Sequence, residues 1–231
     1  MERSFFKRVS VVCKLALPIN FAILLDMLIS LSNLIYAGHL NPTDLAAIGL
    51  AQTLSYLVMV SLIYGMSSSL DTLMSQEYGA GNYDTCTMYF YKAECISTLI
   101  SLLMYPLLFL TARALIQLGV DSQVAQTCQE YLLIYYIGSI FWVQSTNLKI
   151  YFRIQTVGWP SLAGSLLSLT LYFILMASLL HFYKPSVLLI GLVNTTAFLF
   201  QFLFLLALMF CGLGHPQTRR CIRLSDLTQW G

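Results

Sequence analysis

Asp26 stands deep in the apolar run that begins at Leu15, and no other ionisable residue falls so near the middle of such a run. A charged side chain at the centre of a bilayer costs ~2.5–3.5 kcal/mol on insertion scales, so it is seldom there without a task. A site that takes up and releases a proton or a metal cation needs a carboxylate whose charged form is penalised by burial. The plainer alternative is a neutral Asp26 that hydrogen-bonds Ser30 or a neighbouring helix. Asn33 and Gln52 carry amides that could coordinate a substrate, although amides between membrane helices more often serve as interhelical glue.

A second set of candidates is aromatic. Tyr131, Tyr135, Gly138, Trp142 and Ser145 recur at helical spacing and share one face. Such a face can hold an organic cation over its rings at ~0.5–2 kcal/mol per contact. Packing is the other common use of the same residues. Asn194 and Gln201, seven apart, make a further polar stripe, as do Asp26, Ser30 and Asn33. His39, His181 and His215 lie in or beside loops. No Ser/His/Asp, Cys/His or metal-ligand spacing occurs, so no enzyme, cofactor or metal is implied.

The elements that must position these residues are membrane helices. The chain is 58% hydrophobic and 10% charged, against about 25% charged in a soluble domain. With 12 Lys/Arg against 10 Asp/Glu there is no basic excess, which argues against nucleic acid as a partner. The apolar runs reach the ~20 residues that a crossing helix needs. They predict an all-α polytopic membrane protein with six spans: Leu15–Ala37, Leu45–Leu70, Ala93–Leu118, Tyr131–Ile150, Pro160–Leu180 and Ser186–Cys211. In domain terms, 1–14 is a cytoplasmic segment, 15–212 a six-helix lobe in the lipid bilayer, and 213–231 a cytoplasmic tail. Glycine- and proline-bearing turns separate the spans, among them Gly119-Val120-Asp121-Ser122 and Tyr183-Lys184-Pro185.

Lys and Arg set the orientation. Arg3, Lys7, Arg8, Lys14, Lys92, Lys149, Arg153, Arg219, Arg220 and Arg223 fall on one side, and Arg113 and Lys184 on the other. Ten against two places both termini in the cytoplasm. The six cysteines fit no disulfide framework, because only Cys128 falls on the outer side. Inward polar stripes on six helices predict a bundle around a partly hydrated cavity.

One polar junction breaks the apolar pattern: Ser67-Ser68-Ser69-Leu70-Asp71-Thr72-Leu73-Met74-Ser75-Gln76-Glu77-Tyr78-Gly79-Ala80-Gly81-Asn82. Locally it reads as a helix exit with a tight turn at Gly79 and Gly81. The whole string, starting from Gly65, resembles the cytoplasmic end of the second helix in the multidrug and toxin extrusion (MATE) family, eukaryotic branch. Members of that branch read much like G-x-S-x-[AS]-L-D-T-L-x-x-Q-x-[YF]-G-A-G. Asp71, Thr72, Gln76, Gly79 and Gly81 are the motif residues matched here. Leu15-Ala16-Leu17-Pro18 resembles the opening of the family's first helix, where Pro18 would place a kink. Ala37-Gly38-His39-Leu40 resembles the first outer loop, and Phe152-Arg153-Ile154-Gln155 with Pro160 the junction between the fourth and fifth helices.

The resemblance implies a secondary transporter that exports small organic cations or drugs in exchange for H+ or Na+, from the plasma membrane or a vacuolar or other endomembrane. Such proteins pair two six-helix lobes and rock them to alternate access. In many prokaryotic members a first-helix Asp is the coupling carboxylate; the position aligned with it here is Asn33, and Asp26 stands two turns earlier on the same face. The stretch from Arg223 to Gly231 resembles the inter-lobe segment, so the expectation is one N-terminal lobe, present as a half-length, truncated form. It would need a second lobe or a second copy to transport. The other expectation is a non-transporting half-protein that pairs with and regulates a full-length relative.

Overall fold

The computed structural model describes residues 2–57, 61–182 and 186–213. The predicted tail 213–231, the Tyr183–Pro185 turn and the middle of the second predicted span therefore lie wholly or largely outside the described residues. The described chain is helical: α1 Glu2–Gly38, α2 Pro42–Ser55, α3 Ser61–Ala80, α4 Tyr83–Met104, α5 Thr111–Gln117, α6 Ser122–Ile154, α7 Trp159–Phe182 and α8 Val187–Phe210. A 3-10 segment, Tyr105–Leu110, joins α4 to α5. Pro106 explains it, since a proline removes one donor from the helical ladder and clashes with the preceding turn.

Among the described residues, four stretches are long and apolar enough to cross a membrane: Cys13–Gly38, Tyr83–Gln117, Trp159–Leu179 and Val187–Phe210. They correspond to the first, third, fifth and sixth predicted spans. The third starts ten residues earlier than predicted, at Tyr83 rather than Ala93. The second predicted span is divided between α2 and α3. The fourth falls within α6, which has ample length but a more polar composition. Its place explains that composition. α6 is the central helix, packed against α8, α2, α3, α4 and α5. A helix walled by protein rather than lipid can carry Gln, Asn, Ser and Tyr, provided their polar atoms find partners.

Around α6, α1 packs on α7, α7 on α8, and α3 on α4. Two apolar clusters fill the bundle. One gathers Ile29, Ile48, Tyr131, Tyr136, Tyr172 and Met176, and the other Met74, Phe90, Tyr151, Phe152 and Leu205. Leu17, Phe21, Leu24, Met27 and Leu31 on α1, and Leu192, Phe200, Leu203 and Phe210 on α8, turn outward. Large apolar faces of this extent suit hydrocarbon rather than water.

Local features follow the sequence with two adjustments. α1 runs through Pro18 as a continuous helix, and Gly158 lies so close that a Cβ there would come within 3.2 Å of the Pro18 ring. Of the two motif glycines, Gly81 has φ +82 and makes the turn, whereas Gly79 is still helical with open space around it. Asp121 caps α6 as expected for its loop, accepting hydrogen bonds from the backbone N–H groups of Gln123 and Val124.

Candidate functional site

The bundle encloses a cavity of about 680 Å³ lined by residues of α1, α3, α6, α7 and α8 and by Ser55 and Tyr56. Asp26 enters its wall from α1. Its Oδ2 accepts from Lys149 Nζ at 2.7 Å and from Trp142 Nε1 at 3.3 Å, and its Oδ1 accepts from Gln201 Nε2 at 3.1 Å. Lys149 also donates to Ser165 Oγ at 2.8 Å, and Gln201 Nε2 reaches the same hydroxyl at 3.1 Å. Four helices thus converge on one carboxylate: α1, α6, α7 and α8.

This corrects two sequence expectations. Asp26 is not alone, and Lys149 is not one of the cations at the cytoplasmic surface. The fourth predicted span ended at Ile150, whereas α6 continues to Ile154. Lys149 therefore sits a full turn inside the helix, and both members of the ion pair are buried, with 14% and 9% side-chain exposure. The signal was present in the spacing. Trp142, Ser145 and Lys149 follow i, i+3, i+7, so the lysine belongs to the aromatic face already identified.

That face divides in two. Tyr135 and Trp142 line the cavity, with Trp142 flanked by Tyr56 (ring centroids 6.4 Å) and Tyr64 (5.9 Å). Tyr131 is fully buried and stacks on Tyr135 at 5.3 Å. Gly138 and Ser145 serve packing: Gly138 lies against Thr195, and Ser145 bonds back to the Phe141 carbonyl.

Asn33 and Asn194 are brought together, but outside the cavity. Asn33 Nδ2 donates to Asn194 Oδ1 at 3.0 Å, and Tyr172 donates to Asn33 Oδ1 at 2.7 Å. Gln52 donates to the Ser30 carbonyl at 3.2 Å. All three amides tie helices together. Replacing Asn33 by alanine strips two interhelical bonds and leaves Tyr172 and Asn194 without their partner. We expect a loss of ~1–2 kcal/mol in unfolding of the detergent-solubilised protein, with the cavity unchanged.

The junction motif contributes at the cavity's edge. Asp71 lines it and pairs with Arg153 at 2.7 Å, the two side chains being 41% and 34% exposed. Ser67 and Ser68 also line it. Thr72 bonds back to the Ser68 carbonyl, and Gln76 is exposed, so neither joins the site. The cavity therefore presents two carboxylates, two cations and a group of aromatic rings. Such a lining offers both ionic and aromatic contacts.

A helical bundle that is lipid-compatible outside and charged within is that of an integral membrane protein. The MatE family model matches residues 18–176. The chain belongs to the MATE family. It is 27% identical over 143 residues to multidrug and toxin extrusion protein 2 of Pongo abelii, covering 62% of this chain and 25% of that protein. It is 28% identical over 150 residues to Protein DETOXIFICATION 10 of Arabidopsis thaliana, covering 65% and 31%. The crystal structure of the eukaryotic MATE transporter AtDTX14 superposes with a TM-score of 0.90 at 19% identity, covering 96% of this chain and 50% of that one. The chain thus spans about half of that structure, and its matched region about a quarter to a third of the curated relatives. Members of the family are transporters rather than enzymes, in keeping with the expectation from sequence.

Proposed function

We propose that the chain forms one lobe of an exporter that exchanges small organic cations or other xenobiotics for H+ or Na+, working against a second lobe or a second copy. The observation that carries this reading is Asp26, a carboxylate on a cavity wall with three side-chain donors from α6 and α8, two of which also reach Ser165 of α7. A coupling ion and a cationic substrate compete for the same charge, and that competition links their movements. Lys149 occupies the place of such a cation in this state. A proton on Asp26, or an incoming cation, would release the lysine to Ser165 and the cavity. The rings of Tyr56, Tyr64, Tyr135 and Trp142 would hold the organic part of the substrate by cation–π and stacking contacts. The names of the relatives, multidrug and toxin extrusion, agree with a roomy amphipathic cavity.

The test is transport in vesicles from cells that produce the protein. With an imposed proton or sodium gradient, uptake of a fluorescent organic cation should fall to background in Asp26→Asn and persist in part in Asp26→Glu. Undiminished uptake in the folded Asp26→Asn protein would remove Asp26 from the coupling role.

A further inference from the structure

A second carboxylate lies in the bundle away from this cavity. Glu94 is on α4, inside the apolar stretch Tyr83–Gln117, in the seam that α4 makes with α3 and α6, and it does not line the cavity. Its Oε1 is buried without a hydrogen-bond partner, and so is Oε1 of Gln144, a side chain only 6% exposed on α6.

The surrounding bonds show how the neighbouring polar groups are engaged. Ser97 Oγ and Thr98 Oγ1 both donate to the Glu94 backbone carbonyl, at 3.1 and 2.8 Å. With their protons committed, these hydroxyls can only accept. Gln144 Nε2 donates to Thr98, and Asn147 Nδ2 donates to Ser97 at 3.5 Å. Asn147 Oδ1 in turn accepts from Ser67 Oγ at 2.9 Å. Both amides are therefore fixed with their NH2 groups toward α4, and Gln144 Oε1 is left as a bare acceptor. The residues that α3 and α6 bring here, Ser67, Gln144 and Asn147, are neutral, and the side chain that acts on the Glu94 charge is the Asn147 amide.

An ionised Glu94 would be a charge to which α3 and α6 bring an amide but no cation in this seam. One added proton changes the count of donors and acceptors: the bare carboxyl oxygen becomes an O–H donor, in a seam where Gln144 Oε1 lacks one. Ser67, which donates to Asn147, lines the cavity, so this seam lies beside it. We propose that Glu94 is a proton-binding site of this lobe, distinct from Asp26. Loading makes the carboxyl O–H and breaks an O–H of hydronium, a net uptake of one proton from solution. The proposal stands independently of the transport role given to Asp26.

Infrared spectroscopy of the purified full chain tests it, since a carboxylic acid C=O stretch is distinct from carboxylate bands. The wild-type protein should show a protonated-carboxyl band at neutral pH that is lost in Glu94→Gln, shifted in Glu94→Asp and retained in Asp26→Asn. A band that survives Glu94→Gln, or no band in the wild type, would overturn the proposal. So would a band abolished by adding Na+ at constant pH, which would identify a metal-cation site instead.

Discussion

Replacing Lys149 by methionine lowers the unfolding free energy by about 3 kcal/mol, while the double variant Asp26→Asn/Lys149→Met recovers most of the loss. Removing one partner of a buried ion pair typically costs 3–5 kcal/mol, because the other charge is left buried and unpaired. The lower end applies here: the two side chains keep 14% and 9% exposure, and Trp142 and Gln201 still donate to the carboxylate. Asp26→Asn alone should cost less than Lys149→Met. A lysine has a flexible stem and can swing its ammonium toward the cavity, whereas Asp26 is held by donors from α6 and α8. Denaturant unfolding of the four proteins in one detergent gives the cycle, with an expected coupling of ~1.5–3 kcal/mol. Additive single losses would mean that the pair does not form in the folded protein.

The polar residues show where reading a sequence succeeds and where it stops. Asp26 stood out because a carboxylate in an apolar run is conspicuous by itself. Its partner did not, because Lys149 lies near the end of an apolar run, where a lysine ordinarily reaches for the headgroups. Which of the two it does depends on how far α6 continues, and that is settled by packing against α2, α3, α4, α5 and α8 rather than by local composition. Asn33 and Asn194 lie on polar stripes legible in the sequence, yet such a stripe can meet either a neighbouring helix or the cavity. Asp26 and Asn33 share one face of α1, two turns apart, and it is the packing of the other helices along that face that leaves Asp26 on the cavity and ties Asn33 to Asn194 and Tyr172. Glu94 escaped notice for a different reason. The third apolar run was started at Ala93, which made Glu94 a boundary residue, although Glu94, Ser97, Thr98 and Ser101 form a helical stripe. Of the aromatic face, Tyr135 and Trp142 line the cavity, while Tyr131, Gly138 and Ser145 are used in packing.

The seam between α6 and α8 yields the second large effect. Gly138 faces Thr195, and a Cβ built at Gly138 would lie 2.9 Å from both Thr195 Cα and Oγ1 and 3.2 Å from Asn194 Nδ2. The Cα is backbone and cannot turn aside, so Gly138→Ala must push the two helices apart. Overpacking of this kind costs ~1–3 kcal/mol, against which the better helix propensity of alanine returns ~0.5–1 kcal/mol. The separation also strains the bond from Thr195 Oγ1 to the Ile134 carbonyl, 3.0 Å long. We expect a net loss of ~1–2 kcal/mol for Gly138→Ala and a larger one for Gly138→Leu. At Gly191, in the same seam, the nearest atoms are side-chain carbons of Ile134 and Tyr131 at 3.3 and 3.4 Å, which can yield, so its alanine variant should lose less. Gly65 has nothing within 4 Å, and Gly65→Ala should be neutral or slightly stabilising. Thermal unfolding in a single detergent ranks the three. The consequence reaches the site, because Trp142 lies one turn beyond Gly138 on α6 and Gln201 lies on α8. A wedge between these helices draws Gln201 away from an Asp26 that Trp142 and Lys149 hold from the α6 side. Gly138→Ala should therefore weaken binding of an organic cation in a protein that still folds, whereas Gly65→Ala should leave it intact.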